Sequence, residues 1–156
     1  MKLLVRCLVF LILAINLDAM ELRIVAVAGS GLHIMLLNDE GQSIMVSKRF
    51  AYGTLSGNAE ILLAITDKSG IAHVYSSKAR IGPAPDGDRC WLSPGQFVGK
   101  VIAFKRIAKD YDLLPGDYEV VASYRNTISS ESIRASPLVS NRAAFIVASD
   151  LLEDGN

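Results

Sequence analysis

The chain is short of the residues that do chemistry. Its 156 residues include two histidines, His33 and His73, and two cysteines, Cys7 and Cys90. A zinc peptidase needs two histidines one helical turn apart with a glutamate between them. These two lie about forty residues apart, both on predicted strands. His33 and Met35 share a strand face at i, i+2, but two candidate ligands do not make a copper site. Met35 is read as core and His73, between Ala72 and Val74, as an ordinary strand residue. Asp86-Gly87-Asp88 and Asp110-Tyr111-Asp112 pair carboxylates, without the third acidic position and closing glutamate of a calcium loop. Gly29-Ser30-Gly31 lacks the spacing of a nucleophile elbow. Cys90 has no histidine near it in sequence to activate a thiolate. No glycine loop for phosphate is present. No catalytic residue, metal or cofactor is therefore expected.

Charge of one sign is also missing. Sixteen basic residues balance sixteen acidic ones, which argues against a nucleic-acid partner, because such proteins present a basic surface. Lys48-Arg49 and the cluster Lys105, Arg106 and Lys109 are read as solvated strand edges, where lysine discourages sheet-to-sheet aggregation. None of Asn38, Asn58, Asn126 and Asn141 has a serine or threonine two places on, so no N-glycosylation signal exists.

Long apolar runs are absent except at the start. Lys2 and Arg6 precede Cys7 to Ile15, and the segment closes on the small residue Ala19. That is the pattern of a secretory signal peptide over residues 1–19. The run falls short of the ~20 residues that span a bilayer, so no stable membrane span is expected after cleavage. Cutting at Ala26-Val27-Ala28 instead would discard a good strand. Cleavage leaves about 137 of the 156 residues, with a net charge of about −1. That length suits one domain without staples. Cys90 then has no intrachain partner and is either buried or open to pairing with another chain, and its neighbour Trp91 favours burial of Cys90. The expected location is periplasmic or extracellular.

What the chain does have is short strands. Apolar or alternating runs recur at Glu21 to Val27, Leu32 to Leu37, Ser43 to Arg49, Ala59 to Thr66, Ile71 to Ser76, Val98 to Ile107, Asp117 to Arg125 and Ala143 to Ala148. Turn clusters separate most of them, which predicts an all-β antiparallel sandwich of seven to eight strands over residues 20–149. Asp67-Lys68-Ser69-Gly70 predicts a hairpin between Ala59 and Ser76. No segment carries a helical apolar stripe for three turns, although Ile107 to Leu114 suits a single helical turn or a corner. Lys78 to Gln96 and the serine-rich Asn126 to Ser140 read as long connections. Residues 150–156 read as an acidic, disordered tail.

The most informative stretch is Leu114-Pro115-Gly116-Asp117-Tyr118-Glu119-Val120. Pro115 presets φ for a turn, and Gly116 is suited to positive φ. Tyr118 then opens a strand that turns Tyr118, Val120, Ala122 and Tyr124 to one face. A tyrosine in that place can return its hydroxyl to the backbone as the tyrosine corner of immunoglobulin-like sandwiches.

Three pieces together carry a family resemblance. They are Leu36-Leu37-Asn38-Asp39-Glu40-Gly41 leading to Ser43-Ile44-Met45-Val46, Leu92-Ser93-Pro94-Gly95-Gln96 before a strand, and Tyr111-Asp112-Leu113-Leu114-Pro115-Gly116-Asp117-Tyr118. With the closing Ser140-Asn141 strand, they resemble the immunoglobulin-like domain that forms the propeptide of deuterolysin-type metallopeptidases and similar small secreted bacterial proteins. The resemblance implies a fold and a non-catalytic role, and supplies no catalytic residue. No peptidase follows the domain in this sequence, so a propeptide role in cis is not expected. The Cys-Trp-Cys pattern of antibody domains is missing.

The expected function is therefore an exported binding or accessory module, with another envelope or secreted protein as partner. The alternatives are a peptidase-directed inhibitor or chaperone, and a secreted hydrolase with an unrecognised site. The expected contact loop carries Ile128, Ser130, Glu131, Ile133 and Arg134, because long loops on a rigid scaffold commonly make recognition surfaces. Pro115, Gly116, Tyr118, Cys90 and Trp91 are expected to be structural.

Overall fold

The computed structural model describes residues 20–54, 58–126 and 137–149. The expected signal peptide, the loop residues Ile128, Ser130, Glu131, Ile133 and Arg134, and the tail all lie outside the described residues.

The fold is all-β with antiparallel sheets. Its strands are β1 (Met20–Val27), β2 (Gly31–Asn38), β3 (Ile44–Ser47), β4 (Ile61–Asp67), β5 (Ala72–His73), β6 (Arg89–Leu92), β7 (Phe97–Ile102), β8 (Gly116–Tyr124) and β9 (Leu138–Val147). One sheet runs β1-β2-β7, a second runs β5-β4-β8-β9, and β3 pairs with β6 as a separate ribbon. Alternation makes each strand two-faced. Leu22 and Ile24, Leu32, Ile34 and Leu36, Ile61 and Ile65, and Tyr118, Val120, Ala122 and Tyr124 all turn into one continuous core. Each fully buried aliphatic side chain contributes about 1.5–3 kcal/mol, so register is tightly specified on these strands.

Turn chemistry sets the connections. Asp67 closes the β4–β5 hairpin, its Oδ1 accepting from Ser69 N and Ile71 N, both at 2.9 Å. Gly95 has φ 75°, the geometry a proline-glycine turn requires. Its amide donates to Asn38 O at 2.8 Å. The Asn38 side chain is fully buried there and donates to Gln42 O and Leu92 O. That corner carries the β2–β7 ladder into the β3–β6 ribbon. Gly31 has φ 143°, and a Cβ there would stand 2.3 Å from Ile102 O. No other residue fits that approach of β2 to β7.

The two sheets meet where β1 approaches β9. Asn141 of β9 uses its side-chain amide as a peptide group would. Its Oδ1 accepts from Ile24 N and its Nδ2 donates to Ile24 O, both at 2.9 Å. Ile24 thereby gains a partner on the outer edge of β1.

The structure departs from the expected strand list in several places. The strand expected over Val98 to Ile107 stops at Ile102, and helix α1 (Phe104–Asp110) follows. Phe104, Ile107, Ala108 and Tyr111 are buried. Their i, i+3, i+4, i+7 spacing is a helical stripe only two turns long. Lys105, Arg106 and Lys109 accordingly sit on the exposed side of a helix and not on a strand edge. β6 lies inside the connection read as loop. Its four residues are too few to signal alone and are stabilised by pairing with β3. Trp91 projects to solvent, 65 % exposed, because Cys90 and Leu92 take the core side of β6. Met35 falls on the outward row of β2, between the buried Ile34 and Leu36. Gly116 does not take positive φ. The left-handed residue nearby is Asp112, at φ 50°, in the turn that closes α1.

Candidate functional site

A groove of about 330 Å³ opens between the end of β7 and the segments that carry Tyr52 and Tyr75. On one side lies the end of β7, with Lys100, Val101 and Ile102. On the other lie Tyr52 and Tyr75, and Arg106 of α1 stands at one end. Sequence-distant segments build it, and Asp110 ties them together beneath the surface.

Asp110 is the last residue of α1, an unfavourable place for a carboxylate against the helix dipole. It is nonetheless buried. Arg106, one helical turn earlier, donates from Nε to Asp110 Oδ2 at 2.7 Å. The Tyr52 hydroxyl donates to the same oxygen. The Asp110 carbonyl accepts from Ser76 N at 2.8 Å and from Ser76 Oγ at 3.2 Å. One residue therefore fixes the chain on both sides of the groove. Tyr75 sets its ring edge-on to Tyr52, with centroids 6.1 Å apart, and to Tyr111, at 5.5 Å. Such geometry is favoured for aromatic pairs. Tyr111 anchors the row by donating to Leu63 O at 3.1 Å.

The electrostatics suit holding more than proton transfer. Burial, and then the hydrogen bond to Asp110, push the Tyr52 phenol above its ordinary value. Its proton stays in place and is committed to Asp110. The hydrogen bond to Asp110 raises the Arg106 guanidinium further and keeps it charged. The described lining holds two cations, Lys100 and Arg106, and no acidic side chain. Lys100 Nζ donates to the neutral carbonyl of Arg49 at 3.0 Å.

A second polar cluster lies behind this wall. Glu60 is fully buried. It accepts from Arg49 Nε at 3.0 Å, Ser47 Oγ at 3.1 Å and Ala51 N at 2.8 Å. Arg49 in turn donates to Gly82 O at 2.7 Å. Between these partners Phe50 is held at φ 46°, a strained position that persists only when its surroundings overdetermine it. The cluster shapes the backbone leading to Tyr52.

The residues singled out from sequence are scattered. Tyr118 donates to Leu114 O at 2.8 Å and forms the corner across Pro115 and Gly116. Cys90 is a free thiol, half-buried on β6. His33 Nε2 lies 3.0 Å from Ser30 Oγ on the outward face. His73 stands edge-on to Tyr118, with Nε2 3.6 Å from Asp67 Oδ2. Asp86 pairs with Arg89 at 3.0 Å. No group of three or more His, Cys, Asp or Glu side chains that could hold a metal occurs among the described residues. No helix among them is long and apolar enough to cross a membrane.

Tyr52, Tyr75, Lys100 and Arg106 were not picked out as a site. The only local signal was Arg106 and Asp110 at i, i+4, and that needed the helix to be recognised first. No family model matches the chain, and the search of curated proteins finds no match.

Proposed function

We propose that the chain is an exported, immunoglobulin-like domain that works as a non-catalytic binding module in the bacterial envelope. The strand order supports the architecture. β1-β2-β7 follows the A-B-E order of the immunoglobulin sandwich, and β9-β8-β4-β5 follows G-F-C-C′. The Tyr118 corner sits at the start of the F-equivalent strand, where that fold carries it. The resemblance to deuterolysin-type propeptide domains points to the same kind of module.

The observation that carries the binding reading is the groove. It combines two tyrosine rings, two cations and the exposed end of a strand on a rigid frame. Aromatic and arginine side chains of this kind are enriched at protein contact surfaces.

The test uses residues 20–156 immobilised and exposed to envelope extract from the native host. A specific protein should be retained, competed off by free domain and lost with Lys100→Glu. Turnover of peptide, ester and glycoside substrates should stay at background. Turnover abolished by Cys90→Ala or His73→Ala would establish an enzyme instead. Retention unaffected by Lys100→Glu would move the contact surface away from the groove.

A further inference from the structure

We infer that the outer edge of β7 takes an extended acidic peptide segment as an added strand. The inference rests on the binding reading above and names the partner's chemistry.

β7 pairs with β2 and with no other strand among the described residues. None of the backbone hydrogen bonds found there outside regular elements engages its other edge. An unpaired edge is a ready template for a further strand. It is also accessible, since Gly99, Lys100 and Val101 are exposed and the groove runs beside the last two.

The side chains say which strand fits. Lys100 lies opposite the buried Ile34, on the row of β7 that turns towards the core side. A charge in that row of an edge strand discourages pairing with apolar strands. It also disfavours a second copy of this chain. An antiparallel β7 centred on Lys100 opposes two lysines, and one centred on Gly99 sets Lys100 against Val98. A glutamate or aspartate opposite Lys100 instead forms a favourable cross-strand pair. Arg106 extends the same preference. Its Nε is committed to Asp110, yet 59 % of its side chain is exposed at the end of the groove. Lys78 and Arg80, also exposed, flank Ala79 on the opposite wall.

The other row of β7 is apolar. Phe97 is 67 % and Val101 48 % exposed, with the side-chain-free Gly99 between them. Because strand side chains alternate, the incoming segment should place acids towards Lys100 and Arg106, and aliphatic residues beside Phe97 and Val101. Alternating aliphatic and acidic residues are thus the recognised pattern.

The probe is a fluorescein-labelled eight-residue peptide of alternating valine and glutamate, followed by anisotropy with residues 20–156. Controls are the valine–lysine counterpart and a valine–glutamate copy N-methylated throughout, which keeps the charge and loses every amide donor. The glutamate peptide should bind at least tenfold more tightly than either control. Lys100→Gln should weaken it severalfold, and Lys100→Glu should reverse the preference towards the lysine peptide. Circular dichroism should show both variants folded. Equal binding of the N-methylated copy means charge attraction without strand addition and overturns the inference. So do equal binding of the two charge types and absence of binding at 1 mM peptide. A domain that still retains an envelope protein while ignoring every peptide loses this inference and keeps the binding reading.

Discussion

Tyr118 shows what one hydroxyl does in this fold. Its ring is buried against Phe145 and His73, while its oxygen reaches back four residues to Leu114 O. The bond ties the chain entering β8 to the strand itself. Tyr118→Phe keeps the ring packing and removes only that bond. The expected loss is about 1 kcal/mol of unfolding free energy, measured by urea denaturation. An unchanged midpoint would reduce Tyr118 to ordinary packing. Three other tyrosines make the protein sensitive to alkali. Burial raises the phenols of Tyr52, Tyr111 and Tyr124 above their ordinary value. In the unfolded chain they ionise near pH ~10. A folded-state pKa raised above the unfolded one gives stability that is complete below the unfolded value. It is lost as pH rises from there through the folded value. Stability should therefore fall above about pH 10. Tyrosinate absorbance from these three should appear together with unfolding. A full five-tyrosine titration in protein that remains folded would contradict this.

At the scale of elements, the seam between β1 and β9 is held by a side chain in place of a ladder. Asn141 satisfies both backbone groups of Ile24. Asn141→Ala should leave the secondary structure intact and accelerate hydrogen exchange at the Ile24 amide by at least tenfold. Amides of the β4–β8 ladder should not change, because the β8–β9 ladder separates them from the seam. Uniform acceleration across the domain would mean that Asn141 supports global stability and not a local seam. The helix carries a different lesson. α1 is short, so most of its stability comes from packing Phe104, Ile107 and Ala108 and not from propensity. Its last residue, Asp110, then has Arg106 and Tyr52 as partners that a strand would not have supplied. The groove exists because this helix interrupts what reads as a continuing β run.

For the whole molecule, the charged start, the early apolar run and the small residue Ala19 lead to one further expectation. Protein recovered from its native host should begin at Met20, the first residue of β1. Intact-mass measurement checks this directly. A recovered chain that still contains Cys7 to Ile15 would remove the basis for placing the domain outside the cytoplasm.

Much of the framework was legible along the chain because it is written in local rules. Period-two alternation set Tyr118, Val120, Ala122 and Tyr124 on one strand face, and each of these four is buried. Asp67 to Gly70 and Pro94-Gly95 marked turns, since few residues tolerate the backbone those turns need. Leu114 to Tyr118 marked the corner through Pro115 and the place of Tyr118 at the strand entry, although Gly116 does not take the positive φ expected of it. Other features depend on partners distant in sequence. β6 is a strand because β3 lies beside it. Trp91 is exposed because its neighbours take the core side, and Asn141 is a seam residue because Ile24 comes within reach. The groove is the extreme case. Tyr52, Tyr75 and the Lys100–Arg106 run sit in three separate stretches, each unremarkable alone. Side-chain period and turn chemistry are properties of adjacent residues. A binding surface is a property of residues that only packing brings together.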